Sequence, residues 1–413
     1  MANVSSSNGL EKRPKLRFPG FDEPWKAALL SDYFAKNIKK NADGAITNVI
    51  CNSAKQGLIP QRDYFDKDIA NSDNTDGYYI IETNDFVYNP RKSTDAPYGP
   101  ISSYKYPEAG IVSPLYLCFR AKQEINPLYF EWYFRSSAWH RYIYMSGDSG
   151  ARHDRVSIKD DTFFAMPINI PSAKEQDRIA LFLNAIEQKI DKQRSLVDAL
   201  KKYKRGVTRR LFAQEKGSFE TNLQIVSLGD LFPFIRNGFV GTVTPFFTDR
   251  EHGVRYLQGT NIHAGKITDD TVYYVTKDFN AKHSKNILKR DDILVVQSGY
   301  VGECAVVGKE YEGANCHALI IMSNGGNCFS DYVAQYINSE AGNKQIASIT
   351  TGNTIRHILA SAIADMVIPI PSLEEQKRVA YLLSIYDDRI AKEEQLLSEL
   401  EAMRKGLLQQ LFI

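Results

Sequence analysis

The feature that most constrains the fold of this chain is an internal repeat. Shifting the sequence against itself by 200 positions aligns residues 166–212 with 366–412 without a gap, and about 17 of the 47 aligned positions are identical. The most similar stretch reads INIPSAKEQDRIA at 168–180 and IPIPSLEEQKRVA at 368–380. A gapless duplication of this length indicates a fold built from two similar halves.

A second, shorter similarity lies upstream of each copy. LSDYF at 30–34 resembles LGDLF at 228–232, and the segments between this start and the shared segment have similar lengths but different sequences. We therefore predict four segments, with variable modules at 1–165 and 217–365 and shared segments at 166–216 and 366–413. The punctuated pattern of the modules favours short strands and loops in a mixed fold of the α/β or α+β class.

Each shared segment predicts a strand followed by a long helix. Ile-x-Ile-Pro reads as a strand, Ser172 or Ser372 as the helix N-cap, and Glu175 or Glu375 as the partner in a capping box. Apolar residues then step by four and three, which is typical of a coiled-coil seam. The predicted seam consists of Ile186, Ile190, Gln193, Val197, Leu200 and Lys204 in the first helix and Tyr386, Ile390, Glu393, Leu397, Leu400 and Arg404 in the second.

The polar seam positions favour an antiparallel pair of helices about a pseudo-twofold axis. One register places Gln193 beside Arg404 and Lys204 beside Glu393. Residues 174–216 carry a net charge of about +6 and residues 374–412 about −2, which favours pairing of unlike helices. Two surface helices, each packed on its own module, are the alternative.

The length of the predicted pair matters for function. Residues 186–211 paired with 386–411 would form a spacer of ~39 Å. One turn of B-DNA is ~34–36 Å. A protein that reads two DNA sites would need such a match.

Composition excludes several classes of protein. Lys plus Arg exceeds Asp plus Glu by only two, so the overall charge does not indicate a particular kind of binding partner. The five cysteines are scattered without a C-x-x-C, which argues against a disulfide framework or a zinc ribbon. With no signal-peptide core and no apolar run of ~18 residues, we expect a soluble cytoplasmic protein.

The sequence offers little for catalysis or metal binding. Asn126-Pro127-Leu128-Tyr129 is similar to the N-P-P-Y loop of amino-methyltransferases, but Leu128 replaces a proline and no glycine-rich cofactor loop precedes it, so a turn that starts a helix is the favoured interpretation. No G-x-x-x-x-G-K-[ST] or H-E-x-x-H motif is present. Cys316-His317 lacks further ligands, and we expect a buried thiol beside a polar residue.

Candidate DNA contacts are polar and basic residues in glycine-broken loops, because Arg pairs with guanine and Asn or Gln with adenine. In the first module they are Lys55, Gln56, Gln61, Arg62, Arg91, Lys92, Tyr104, Lys105, Arg152 and His153. In the second they are Arg236, Asn237, Arg250, Gln258, Asn261, Gln297, Ser298, Tyr300, Arg356 and His357. Arg152-His153 and Arg356-His357 stand out because each closes its module. A basic run on the first helix could touch phosphate, or could be a solvated face or a subunit dock; it comprises Lys201, Lys202, Lys204, Arg205, Arg209 and Arg210.

These features together resemble the specificity subunit of Type I restriction–modification systems. The resemblance rests on P-x-P-S-x-x-E-Q followed by a heptad helix ending in G-x-x-x-x-L-F, twice in the chain, and covers nearly all of it. Supporting motifs include RFPGF at 17–21, GLIPQ at 57–61, GIVSPLY at 110–116, RYLQGTNI at 255–262, RDDIL at 290–294 and GNTIR at 352–356.

The resemblance implies a non-catalytic reader of double-stranded DNA. Two target-recognition domains would each contact half of a split site with a gap of roughly 5–8 base pairs, and the helices would dock two methyltransferase subunits, after which restriction subunits join. S-adenosylmethionine, ATP and Mg²⁺ would belong to those partners, and the chain itself would hold no cofactor or metal. A DNA adenine methyltransferase acting through 126–129, and a two-module interaction protein that does not bind DNA, stay open at this point.

Overall fold

The computed structural model describes residues 3–4, 13–64, 75–147, 154–212, 223–352 and 356–413. It has a mixed α/β fold, as predicted, and divides into two compact units. The first unit holds Met1–Gln193 and Leu396–Ile413, and the second holds Arg194–Gln395. Each of the two long helices therefore contributes one part to each unit.

The first unit contains the elements up to the first long helix. Its strands are β1 (Asn3–Val4), β2 (Leu16–Arg17), β3 (Lys26–Leu29), β4 (Phe34–Lys36), β5 (Ile50–Ser53), β6 (Gly57–Pro60), β7 (Tyr79–Ile81), β8 (Phe86–Tyr88), β9 (Ile101–Ser103), β10 (Gly110–Val112), β11 (Leu117–Ala121) and β12 (Pro167–Ile170). Its helices are α1 (Leu30–Tyr33), α2 (Gln61–Tyr64), α3 (Pro127–Arg135), α4 (His140–Ser146), α5 (Asp160–Phe164) and the beginning of α6 (Ala173–Phe212).

The second unit repeats much of this order. Its strands are β13 (Gln224–Ser227), β14 (Phe234–Asn237), β15 (Phe247–Thr248), β16 (Gly253–Leu257), β17 (Ile262–His263), β18 (Lys266–Ile267), β19 (Tyr273–Thr276), β20 (Ile293–Val296), β21 (Cys304–Val306), β22 (Asn315–Cys316), β23 (Leu319–Ser323) and β24 (Val367–Ile370). Its helices are α7 (Leu228–Leu231), α8 (Lys277–Lys282), α9 (Ser330–Ile337), α10 (Glu340–Ile349), α11 (Ala360–Ala364) and the beginning of α12 (Leu373–Leu411).

Each unit is centred on an antiparallel four-stranded sheet of the same connectivity. The strand order is β4-β11-β8-β9 in the first unit and β14-β23-β20-β21 in the second. The second unit adds a sheet of order β15-β19-β16-β22, in which β16 and β22 are parallel. Both modules therefore present equivalent loops at equivalent places, although the residues in those loops differ.

The two shared segments fold alike. Strand β12 pairs with β3 and β24 with β13, and the amides of Leu30 and Leu228 donate to the carbonyls of Met166 and Met366 at 2.9 and 2.8 Å. The short LxDxF segments are thus one-turn helices fixed to the strand that leads into each long helix.

The predicted serine caps are present at both long helices. The hydroxyls of Ser172 and Ser372 accept from the backbone amides of Glu175 and Glu375 at 3.4 and 3.3 Å. The Glu175 carboxylate does not complete a capping box but accepts from the buried Arg17 at 2.7 and 2.8 Å. A buried carboxylate needs such a charge-assisted partner, which sequence spacing alone does not reveal.

The C-terminal end of each long helix, together with the residue that follows α12, packs into a module core. In the second unit, Phe212 contacts Tyr332 and Tyr336 of α9, with ring centroids 5.5 and 5.1 Å apart. In the first unit, Phe412 contacts Tyr129 and Tyr133 of α3 at 5.7 and 6.1 Å. The end of the first long helix thus belongs to the core that follows it, and the chain terminus belongs to the core that the chain begins with.

Contacts between α6 and α12 are antiparallel. In the second unit Lys201 forms an ion pair with Glu394 at 2.6 Å and Lys204 with Asp387 at 2.5 Å. Residue numbers therefore increase along one helix as they decrease along the other. In the first unit Ile186 and Ile190 cluster with Leu400. All twelve predicted seam residues are buried or half-buried.

The predicted register is wrong. Arg404 pairs with Glu187 rather than Gln193, and Lys204 with Asp387 rather than Glu393. Both partners lie six residues earlier than expected (193 − 187 = 6 and 393 − 387 = 6). Glu393 instead accepts from Arg389 one turn away, at 2.6 Å. A full carboxylate is a stronger partner for Arg404 than the neutral amide of Gln193, and it stands in reach in the observed register.

Within the described residues, no helix has both the length and the apolar character needed to span a membrane.

Candidate nucleic-acid interface

Several predicted contact residues of the second unit converge where strand β20 ends. Ser298 forms a backbone bridge with His357, and the amide of Ile358 donates to the carbonyl of Gln297 at 3.2 Å. His357 also pairs with Thr351 through backbone hydrogen bonds of 2.9 Å in both directions. The loop after β20 and the strand-like segment before α11 are therefore held side by side, with Ser298 exposed.

Further candidates surround this bridge. Tyr300, in the same loop, is 69% exposed and its ring lies 6.0 Å from that of His263. Gly259 follows the candidate Gln258, and a Cβ placed there would lie 3.9 Å from the carbonyl of Ser298. Two loops and the segment before α11 thus form one surface, which we name the second face, with Gln258, Gln297, Ser298, Tyr300 and His357 as its members.

The first unit has an equivalent surface where strand β8 ends. Arg91 forms a backbone bridge with Arg155, and the amides of Lys92 and Val156 donate to the carbonyls of Asp154 and Pro90 at 2.8 and 2.9 Å. Arg91 and Lys92 are exposed, whereas Arg155 is half-buried. We name Arg91, Lys92 and Arg155 the first face.

The first face adjoins a cavity of about 280 Å³. Pro90 and Val156 line it, together with Tyr79, Tyr116 and the ion pair of Lys36 with Asp160. A basic surface beside an aromatic-lined cavity suits the backbone and bases of a nucleic acid.

The two faces are built on equivalent backbone bridges. The structure places Arg155 at the position that His357 occupies in the second unit. Arg152 and His153 lie outside the described residues. The signal for Arg155 was its distance to the shared segment: it precedes Met166 by 11 residues and His357 precedes Met366 by 9, against 13 for His153.

Two candidates are buried and drop out. Tyr104 is fully buried and its hydroxyl donates to the carbonyl of Glu108 at 2.9 Å. Asn261 is also fully buried, and its amide donates to the carbonyls of Thr268 and Thr271 at 3.0 and 2.7 Å. Both polar groups stabilise their own loops, so neither is available to a base edge.

Three candidates are already engaged with protein groups. Lys105 pairs at 2.7 Å with Glu131, a carboxylate with 5% exposure, and Lys55 lies 3.6 Å from Asp95. Arg236 donates to the carbonyl of Lys285 at 2.6 Å and to the hydroxyl of Ser323 at 2.7 Å.

The remaining candidates lie on other loops and edges. Gln56 lies beside Lys55 at the tip of the β5–β6 hairpin, Gln61 and Arg62 begin α2, Asn237 ends β14, Arg250 lies in the turn before β16, and Arg356 is exposed beside His357.

Comparison with known proteins relates part of this chain to a known family. Residues 220–402 match the family model described as the Type I restriction modification DNA specificity domain. A specificity subunit of the Type I restriction enzyme MjaVIII from Methanocaldococcus jannaschii is 24% identical over 266 residues, covering 60% of this chain and 61% of that protein. Residues 220–402 thus carry the specificity domain of this family, and the chain is similar to specificity subunits of Type I restriction enzymes.

Two further specificity subunits extend the comparison. The StySPI specificity subunit of Salmonella potsdam is 30% identical over 181 residues, covering 38% of this chain and 37% of that protein. The crystal structure of an S subunit from M. genitalium shares the fold, with a TM-score of 0.58, 13% identity and coverage of 97% of this chain and 99% of that one. The matched part thus spans about three fifths of the first of these relatives and less of the second.

The methyltransferase-like tetrapeptide of this chain has a structural role. The Asn126 side-chain oxygen accepts from the amide of Tyr129 at 2.9 Å and so caps α3, with Pro127 in the first turn. Its amide nitrogen donates to Asp177 at 2.6 Å, and Tyr129 is fully buried. This is the helix-starting turn that the sequence favoured.

Of the Cys316-His317 pair, the cysteine lies in the core of its unit and the histidine is half-buried. Cys316 is fully buried, and burial raises the pKa of its thiol to about 12. Desolvation lowers the pKa of His317, whose ring lies 3.4 Å from the hydroxyl of Tyr256. Among the described residues of this chain, no group of three or more His, Cys, Asp or Glu side chains is arranged to hold a metal.

Proposed function

We propose that this chain is the DNA sequence-recognition subunit of a Type I restriction–modification complex. It reads a split DNA site with two recognition domains, at 1–165 and 217–365, and the shared segments at 166–216 and 366–413 act as spacer and dock. It has no active site of its own. Methyltransferase and restriction subunits bring S-adenosylmethionine, ATP and Mg²⁺, and the complex works in the cytoplasm.

One observation carries this proposal. The same backbone bridge recurs in both modules, but Arg91 and Arg155 occupy it in one and Ser298 and His357 in the other. A constant scaffold with different side chains at its exposed loops suits two readers of two different sequences. Arginine favours guanine in the major groove, whereas Ser and His present shorter groups of different hydrogen-bonding capacity.

The paired helices support the spacer role. We propose that α6 and α12 form an antiparallel coiled coil with pseudo-twofold symmetry. Its basis is that Glu187–Arg404 and Asp387–Lys204 are the same ion pair under the 200-residue repeat. The apolar cluster of Ile186, Ile190 and Leu400 is of the kind a coiled-coil seam provides.

The decisive experiment is a genome-wide map of N6-methyladenine in cells that express the partner methyltransferase with or without this chain. A split motif with a fixed gap, present only with the chain, is the expected result. If the partner is expressed and bound but no chain-dependent motif appears, the DNA-reading function is wrong and the interaction-protein interpretation replaces it.

A further inference from the structure

The end of α6 that belongs to the second unit carries an exposed basic stripe. Lys202, Arg205 and Arg209 follow one another at intervals of three and four residues, which places them on one face of the helix. All three are exposed. We name these three residues the α6 stripe.

The α6 stripe faces away from the seam. At about 100° per residue, the centre of the stripe lies roughly 120° around the helix from Val197 and Lys204. Lys201 and Lys204 pair with acidic residues of α12, but Lys202 and Arg205 make no ion pair within the described part of the chain. The acidic group that acts on Arg209 is Glu340, which is already paired with Lys344 at 2.9 Å.

The stripe is absent from the other copy of the repeat. The positions 200 residues later are Ala402, Lys405 and Gln409, so one cation remains of three. The Lys201 position becomes Glu401 and the Arg210 position Gln410. A surface that served only to dock two identical subunits on two equivalent helices would be expected to recur, and this one does not.

The composition of the stripe indicates the kind of partner. Gly206 lies between Arg205 and Arg209 and leaves the surface open there, because no other described part of the protein comes within 4 Å of the position that its Cβ would take. No apolar side chain belongs to the stripe, whereas the centre of a protein interface is depleted of charge and anchored by apolar or aromatic residues. Interfaces with DNA are polar and strongly positive.

Three like charges within two turns also oppose helix stability by some tenths of a kcal/mol per pair. The stripe spans ~10 Å along the axis, over which one DNA strand carries about three phosphates. The attraction between these cations and the phosphates of a bound DNA strand would offset the repulsion among the cations.

The stripe is fixed to the same unit as the second face. Phe212, three residues beyond Arg209, packs against Tyr336 of α9, and α10 follows directly. Ile346 of α10 lies against Gly302, at the end of the loop that carries Ser298 and Tyr300. One rigid core therefore connects the helix end to the base-reading loops.

We propose that Lys202, Arg205 and Arg209 bind the phosphate backbone of the DNA, without base preference and only at the half-site read by the second unit. This inference rests on the proposed DNA-reading function and adds an asymmetry to it: the two half-sites are held by unequal numbers of phosphate contacts.

The test uses the chain purified in complex with its methyltransferase subunit and a fluorescent duplex of random sequence. Binding is titrated over a range of salt concentrations for the wild type and for Lys202→Ala/Arg205→Ala/Arg209→Ala. The matched control is Lys377→Ala/Lys392→Ala/Lys405→Ala, which removes the same charge from exposed positions of α12. Thermal unfolding establishes that both variants fold.

Each phosphate contact contributes about 0.9 to the slope of log affinity against log salt. The stripe variant should therefore bind more weakly at low salt with a slope smaller by about 2–3, and the control should keep the wild-type slope. Equal slopes in all three proteins would overturn the phosphate assignment alone. Loss of the methyltransferase subunit from the stripe variant, with an unchanged slope, would make the stripe a protein dock. No salt-dependent binding by the wild type would instead overturn the proposed function.

Discussion

Glu187 and Arg404, 217 residues apart in sequence, form an ion pair between the two long helices of the first unit, with Nη1 of the arginine 2.5 Å from the carboxylate. In the second unit, Asp387 and Lys204 make the corresponding pair. Each pair is also approached by a side chain of a module helix: Arg135 lies 3.6 Å from Glu187, and Gln335 donates to Asp387 at 2.8 Å. The repeat is therefore expressed in specific polar contacts as well as in sequence.

The Glu187–Arg404 pair should show direct energetic coupling. Reversing one charge, as in Glu187→Lys or Arg404→Glu, should lower the free energy of unfolding, and the double reversal should recover about 1 kcal/mol because both side chains are less than a third exposed. Recovery will be incomplete because Glu187→Lys also faces Arg135. Urea unfolding measures the cycle.

The control for that cycle is Glu187→Lys combined with Lys405→Glu, a reversal at the exposed neighbour of Arg404. This combination should give no recovery. Equal recovery with either partner would mean that the effect is general electrostatics and that the observed register is wrong.

The terminal phenylalanines should stabilise different units. All three tryptophans, Trp25, Trp132 and Trp139, lie in the first unit, so tryptophan fluorescence reports on that unit alone. Phe412→Ala should lower the fluorescence-detected stability by about 3–5 kcal/mol, since its buried ring leaves a cavity among tyrosines.

Phe212→Ala is the matched variant in the second unit. It should lower the stability measured by circular dichroism while affecting the fluorescence transition less. Identical shifts in both signals for both variants would show that each phenylalanine stabilises the two units together.

The two faces should control different halves of the methylated motif. Arg155→Ala is expected to relax specificity in one half-site and His357→Ala in the other, at about 1–3 kcal/mol for each lost base contact. Sequencing of N6-methyladenine in cells carrying each variant reads both halves at once. Variants that weaken methylation of the unchanged motif would assign these residues to backbone contacts.

Alkaline pH should destabilise the first unit through Cys118. Burial raises the pKa of this thiol from its ordinary 9.0 to about 12. Below pH 9 both the folded and the unfolded chain keep the proton. Between pH 9 and 12 only the unfolded chain loses it, so stability falls as pH rises, by about 1.4 kcal/mol per pH unit for one thiol.

The fluorescence-detected urea midpoint between pH 8 and 11 tests this dependence. Cys118→Ala should flatten it, although buried tyrosines leave part of the slope. Cys316→Ala, whose thiol has the same pKa of about 12 in the second unit, is the control and should leave the fluorescence-detected slope unchanged. A slope insensitive to Cys118→Ala would mean that this thiol does not set the alkaline limit.

The sequence by itself determined the duplication, the mixed α/β class, the strand and serine cap that begin each long helix, and the resemblance to Type I specificity subunits. These features are local or repetitive: Ser172 and Ser372 cap the next turn of their own chain, and apolar spacing marks a helix face wherever the helix packs.

Only the tertiary structure decided which residues meet across the chain. A heptad pattern permits neighbouring registers of similar apolar burial, so the choice of Glu187 over Gln193 depends on where the module cores hold the helix ends, at Phe212 and Phe412. Tyr104 and Asn261 are polar residues in segments predicted to be loops. Both are buried, and their side chains donate hydrogen bonds to backbone carbonyls of the same loops. Arg155 is assigned to the first face only from the structure, because its backbone bridge to Arg91 joins two segments that are far apart in sequence.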